Sequence, residues 1–191
     1  LAPKELQPAS FAFSEENLAW AKATIAKYPE GRQASAVIPL LWRAQEQHDG
    51  WVSEAIIRTI ADMLGMAHIR VLEVATFYTM FQLQPVGKKA HVQVCGTTPC
   101  MLRGAGKLTR GLEEQLGIPF GQTTPDGKLS ILTARCLGSC GLAPVIVLDG
   151  EVLAREAPET TIAAVKKSLA GGPRANGHKP SRDGQADEEV D

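Results

Sequence analysis

The sequence predicts an α+β chain: a helical N-terminal bundle followed by a small α/β domain, with a charged tail behind it. Three observations carry that reading. From residue 14 to about residue 81 the apolar residues recur every three or four positions, the spacing of helices that bury one face. Beyond Pro85-Val86-Gly87 the period shortens to two and turn signals crowd in, as strands require. From residue 171 onward only Gly, Pro and charged or polar residues dominate, a composition that cannot build a core. The expected divisions are 1–84 for an arm and helical domain, 85–170 for the α/β domain and 171–191 for a disordered tail.

Residues 1–13 read as an extended arm whose Phe11 and Phe13 pack on the body. Ser14 is placed to cap a first helix, with Glu15 and Glu16 at its positive end. Leu18, Ala21, Ile25 and Tyr28 share one face of it, and Pro29 and Gly31 stop it. A second helix is expected over 35–48, with Val37, Ile38, Leu41, Trp42 and Ala44 inward. Pro39 demands either a start near Ser35 or a kink. Ser53 caps a third helix that buries Ile56, Ile57, Ile60 and Leu64 and ends at Gly65. Residues 66–81 form a fourth helical segment, broken near His68, with Val71, Val74, Ala75, Tyr78 and Phe81 at helical spacing. It is apolar almost all round, which suits a buried helix and equally a surface that docks on a larger protein.

Residues 89–94 alternate as a strand that delivers Cys95 at its carboxyl end. One helix is expected over 101–116, with Leu102, Leu108, Leu112 and Leu116 apolar and Cys100 at its N-terminus, where the dipole favours a thiolate. Pro125-Asp126-Gly127 is a turn, and 129–134 a second strand that leads into Cys136. Residues 144–148 and 151–154 pair across Asp149-Gly150, a type I′ hairpin signal. Pro158 opens a closing helix to residue 169. The order strand, helix, strand, loop, hairpin, helix is that of a small α/β sandwich of thioredoxin type, in which sites form at strand ends.

Composition narrows the function. With 191 residues and 44% hydrophobic side chains the chain has enough for a packed core, and its net charge of −1 makes no electrostatic case for nucleic acid. No apolar run approaches the roughly 20 residues of a membrane span. The first dozen residues lack the marks of a signal or transit peptide, and four thiols that look free suit a reducing compartment.

All four cysteines fall in two pairs, Cys95-Gly96-Thr97-Thr98-Pro99-Cys100 and Cys136-Leu137-Gly138-Ser139-Cys140. Small residues around them let backbone N–H groups face an anionic centre. A [2Fe–2S] cluster held by four thiolates matches this pattern, with Arg103 and Arg135 close enough in sequence to add positive charge. Structural zinc is an alternative, though its knuckles are usually tighter; two disulfides or a thiol-redox site are others. Closing the loop between the pairs costs ~3 kcal/mol, whereas a thiolate metal site returns on the order of 10 kcal/mol. His48, His68, His91 and His178 show no ligand spacing.

From residue 13 to 169 the chain resembles a known family, the small [2Fe–2S] subunit (24 kDa type) of respiratory NADH:quinone oxidoreductase, complex I. The motifs are Ala36-Val37-Ile38-Pro39-Leu40-Leu41, Glu73-Val74-Ala75-Thr76-Phe77-Tyr78-Thr79-Met80-Phe81 and the two cysteine stretches. The resemblance implies a thioredoxin-like ferredoxin domain with Cys95, Cys100, Cys136 and Cys140 as ligands of one [2Fe–2S] cluster. It implies a partner subunit carrying FMN and the NADH site, no catalytic residue in this chain, and a peripheral place on the cytoplasmic face of the bacterial inner membrane, with the mitochondrial matrix side or the soluble cytoplasm as alternatives. The cluster would store single electrons beside the flavin. Gly141-Leu142-Ala143-Pro144-Val145 instead resembles the equivalent small subunit of soluble NAD-linked hydrogenases and formate dehydrogenases, the alternative assembly.

Overall fold

The computed structural model describes residues 1–155 and 157–171. The first helix, α1 (Glu15–Ala26), starts where expected: the Ser14 hydroxyl accepts the Asn17 N–H at 3.3 Å. α2 (Val37–Gln47) follows a 3₁₀ turn, Gln33–Ala36, so Pro39 falls in its first turn, where no intrahelical N–H is needed. The buried stripe of α2 is Val37, Leu40, Leu41 and Ala44. At 3.6 residues per turn, Ile38 and Trp42 lie to the side of that stripe. Trp42 is therefore 38% exposed, with its indole N–H donated to Glu46 at 2.8 Å.

α3 (Glu54–Leu64) is capped by Ser53, whose hydroxyl accepts the Ile56 N–H, and it ends on left-handed Gly65. α4 is shorter than the periodicity suggests, His68–Phe77. Tyr78 turns extended, so Phe81 reaches the core through a turn, its N–H donated to Tyr78 O, and not along a helix face. Phe77, at the frayed end, is 77% exposed. The four helices share one apolar core around Leu40, Leu41, Ile56, Ile57, Ile60 and Val71, joined by Phe13 from the arm. Phe11 stacks edge-on against Phe13 with ring centroids 5.2 Å apart.

The second half is built on a five-stranded sheet in the order β2-β3-β1-β4-β5. Its strands are β1 (Ala90–Cys95), β2 (Gln122–Thr123), β3 (Leu129–Ala134), β4 (Val145–Leu148) and β5 (Glu151–Ala154). β1 and β3 run parallel; the other pairings are antiparallel. The β4–β5 turn has positive φ at both Asp149 and Gly150, as a type I′ turn requires. The edge strand β2 has only two residues, too few to show as alternation.

The connection from β1 to β3 differs from expectation. The single helix expected over 101–116 is two: α5 (Thr98–Leu102) and α6 (Ala105–Leu116). Gly104 at φ +97° breaks the run, because no helix continues through a left-handed residue. Leu102 consequently swings out, 82% exposed, and Cys100 lies inside α5. α6 and α7 (Pro158–Ala170) pack Leu108, Leu112, Ile162 and Val165 against Val92, Val94, Ile131 and Ile146 of the sheet. Gly87 admits the chain to β1: a Cβ there would collide with backbone atoms of Ala90, Leu129 and Ser130. The expected tail lies outside the described residues apart from Gly171.

Candidate metal centre

The parallel pairing decides where the cysteines go. Cys95 closes β1 in register with Ala134, the last residue of β3, so both strands emit their loops at the same end of the sheet. Adjacent strands lie about 4.8 Å apart, and Cys136 follows Ala134 by two residues. The Gly96 N–H donates to Ala134 O at 2.9 Å, and the Cys95 sulfur lies 3.9 Å from Arg135 O. The second loop ends in a short 3₁₀ turn, Cys140–Leu142, and passes a cis Ala143-Pro144 bond into β4. β4 returns along the other side of β1. Three neighbouring strands thus bracket the four sulfurs.

Cys95 and Cys100 are buried with Ala105, Ala143 and Val145 in a small cluster of their own. Cys136 and Cys140 are exposed, and all four thiols are free. Burial pushes the Cys95 thiol up, but hydrogen bonds from Thr97, from the Cys100 thiol and from the Leu137 backbone outweigh it and bring its pKa down to about 7. The Thr97 hydroxyl sits 3.2 Å from that sulfur. Burial first, then the neighbouring Cys95, push Cys100 up; it also feels the charge of Cys140 and a hydrogen bond from Val145. Cys95, Cys100 and Cys140 therefore form one electrostatic group. The Gly138 N–H donates to the Cys136 sulfur at 3.4 Å.

Among the described residues, no three His, Cys, Asp or Glu side chains are drawn to mutual metal-binding distance. The donor chemistry nonetheless fits an iron–sulfur centre. Four soft thiols, with no carboxylate or imidazole among them, are the ligands such a centre selects. The N–H and hydroxyl donors already aimed at Cys95 and Cys136 are the groups that offset sulfur charge. The sequence places Thr97 in the first cysteine stretch but does not single out its hydroxyl as a sulfur partner, although a hydroxyl two residues past a cysteine is a readable signal. His48 and His91 are occupied elsewhere, by Trp51 O at 3.1 Å and by the Ser130 hydroxyl at 2.6 Å. His178 lies outside the described residues.

Residues 21–169 match the family described as thioredoxin-like [2Fe-2S] ferredoxin. Over 171 residues the chain is 56% identical to a subunit of the NADH-quinone oxidoreductase of Rhizobium meliloti (strain 1021), covering 90% of this chain and 62% of that protein. Over 158 residues it is 44% identical to the corresponding NADH-quinone oxidoreductase subunit of Rickettsia bellii (strain RML369-C), covering 83% of this chain and 94% of that one. Among solved structures, an NAD⁺-reducing [NiFe]-hydrogenase in the H₂-reduced state aligns over 71% of this chain and 23% of that one. Its TM-score is 0.60 at 21% identity, a likeness of fold.

Proposed function

The chain belongs to the thioredoxin-like [2Fe–2S] ferredoxin family, with subunits of NADH-quinone oxidoreductases among its relatives, and from that premise we propose that it is the small electron-carrying subunit of such a complex. Cys95, Cys100, Cys136 and Cys140 hold one [2Fe–2S] cluster, which when bound accepts and returns single electrons. The observation that supports this reading best is the parallel register of β1 and β3, which emits both cysteine loops at one end of the sheet.

The protein's own contribution is electrostatic and positional. Thr97, Gly138 and the Leu137 backbone offset negative charge on sulfur, and the cluster of Ala105, Ala143 and Val145 keeps water from Cys95 and Cys100. No residue of this chain acts as acid, base or nucleophile. Residues 1–84 form a helical bundle and 85–170 the cluster domain. The FMN and the NADH site belong to a partner subunit, on which exposed Phe77, Tyr78 and Met80 dock. The complex lies at the cytoplasmic face of the inner membrane through its partners; no described helix is long and apolar enough to cross.

The test is anaerobic isolation of the full chain with metal and sulfide analysis. Two iron and two sulfide per chain with a red-brown chromophore support the reading. One zinc without visible absorption, or no metal at all, sinks it. Cys136→Ser then tests the ligand set: an unchanged reduced-state EPR signal rules out Cys136 as a ligand.

A further inference from the structure

A second site-like feature lies beside the cysteine loops. An open cleft of about 900 Å³ runs between the start of α6 and the end of β5. Arg103, Lys107, Arg110 and Arg155 line it. Three of these cations come from one stretch, Arg103 in the turn after α5 and Lys107 and Arg110 one turn apart on α6, and Arg155, the residue after β5, comes from far along the chain. No carboxylate stands among the described lining residues. Among the described residues none of the four forms an ion pair. Arg155, at φ +58°, donates one guanidinium N–H to Gly141 O at 3.1 Å and lines the cleft. The floor is small: Gly104 and Gly106 leave backbone accessible, and α6 opens there with no side-chain cap. Exposed Met101 and Leu102 form an apolar lip.

Four like charges with no ion-pair partner among the described residues repel one another, and a cleft focuses their field. Three of them are guanidinium groups, whose planar forks match phosphate oxygens two at a time. The volume lies in the range of small-ligand sites. We propose that this cleft is a binding site for a compact polyphosphate anion, of the pyrophosphate or nucleoside diphosphate class, held by Arg103, Lys107, Arg110 and Arg155. The apolar lip gives a nucleoside diphosphate a surface that pyrophosphate does not use.

The experiment is calorimetric titration of the full chain with pyrophosphate and, separately, with ADP, at two ionic strengths. Saturable one-to-one binding that weakens with salt is expected for both, as for any site built on charge. Lys107→Gln/Arg110→Gln, both exposed side chains, should weaken it at least tenfold. Lys166→Gln/Lys167→Gln on α7 makes the same change in net charge away from the cleft and should leave it within twofold. Tighter binding of ADP than of pyrophosphate, lost in Leu102→Ser, assigns the lip to the nucleoside; equal binding assigns the site to the phosphates alone, and either outcome supports the proposal. Absence of saturable binding, or equal weakening by both double variants, overturns it. Circular dichroism of each variant confirms that the fold is kept.

Discussion

The two cysteine pairs occupy opposite surroundings. Cys95 and Cys100 are 2% and 1% exposed, one on the end of a central strand and the other inside α5. Cys136 and Cys140 are exposed, on a stretch with no regular structure beyond one 3₁₀ turn. The first pair is placed by the sheet and its packing whether or not anything binds. The second stands at the surface, so on the proposed reading a cluster shared with the first pair would add to its order, as in sites where metal binding and folding are coupled. Half the centre is scaffold and half is closure.

That contrast can be broken most forcefully behind the first pair. Gly87→Ala would drive a methyl into backbone at Ala90, Leu129 and Ser130, where nothing flexible can give, and so disturb the β1–β3 register. We expect a loss of at least about 3 kcal/mol of stability, or no folded protein, by urea denaturation. Gly138→Ala, in the second loop at φ +79°, meets nothing within 4 Å and should cost only about 1–2 kcal/mol of left-handed strain. Comparable losses from the two would erase the distinction.

A smaller difference should appear in the metal-free, reduced chain. Cys100→Ser places a hydroxyl in a buried apolar cluster and should destabilise by about 1–3 kcal/mol. Cys140→Ser should fall within about 0.5 kcal/mol, as exposed substitutions do. Thermal melts of the two variants decide it. The same preparation, treated with iodoacetamide and followed by mass spectrometry, should label Cys136 and Cys140 well before Cys100, since they are exposed while burial both shields the Cys100 thiol and pushes its pKa up. Uniform labelling would mean that the first pair is not protected by the fold.

The smallest effect belongs to a reference loop without sulfur. In the turn after β2, hydrogen bonds from Thr124 and Lys128 hold Asp126 down to a pKa of about 2. A carboxylate depressed in the folded state stabilises it above the ordinary carboxylate range, and that contribution fades as pH falls toward 2. Asp126→Asn should therefore be slightly less stable than the parent at neutral pH, and the gap should close on acidification. A gap that widens in acid would reverse the assignment.

Local signals serve best where one residue type does one job. Ser14 and Ser53 cap helices, Gly65 ends one, and Asp149-Gly150 turns a hairpin, each as its chemistry requires. They mislead where another residue, near or far, competes for the outcome. Leu102 continues an apolar helical pattern, yet Gly104 breaks the helix after it and leaves Leu102 in solvent. Trp42 reads as core, but Leu40 occupies the stripe and the indole bonds Glu46 at the surface. β2 exists only because β3 offers it an edge.

The amino-acid sequence by itself determined most of the elements, their order and the four thiols in two glycine-lined loops, because caps, periodicity and turn chemistry act over a few residues. Tertiary structure alone decided which thiols are buried, that the Leu137 backbone helps lower Cys95, and that Arg155 joins the cations of residues 103–110 at one cleft. Those properties depend on distances between residues far apart in the chain, and strand register and packing set such distances.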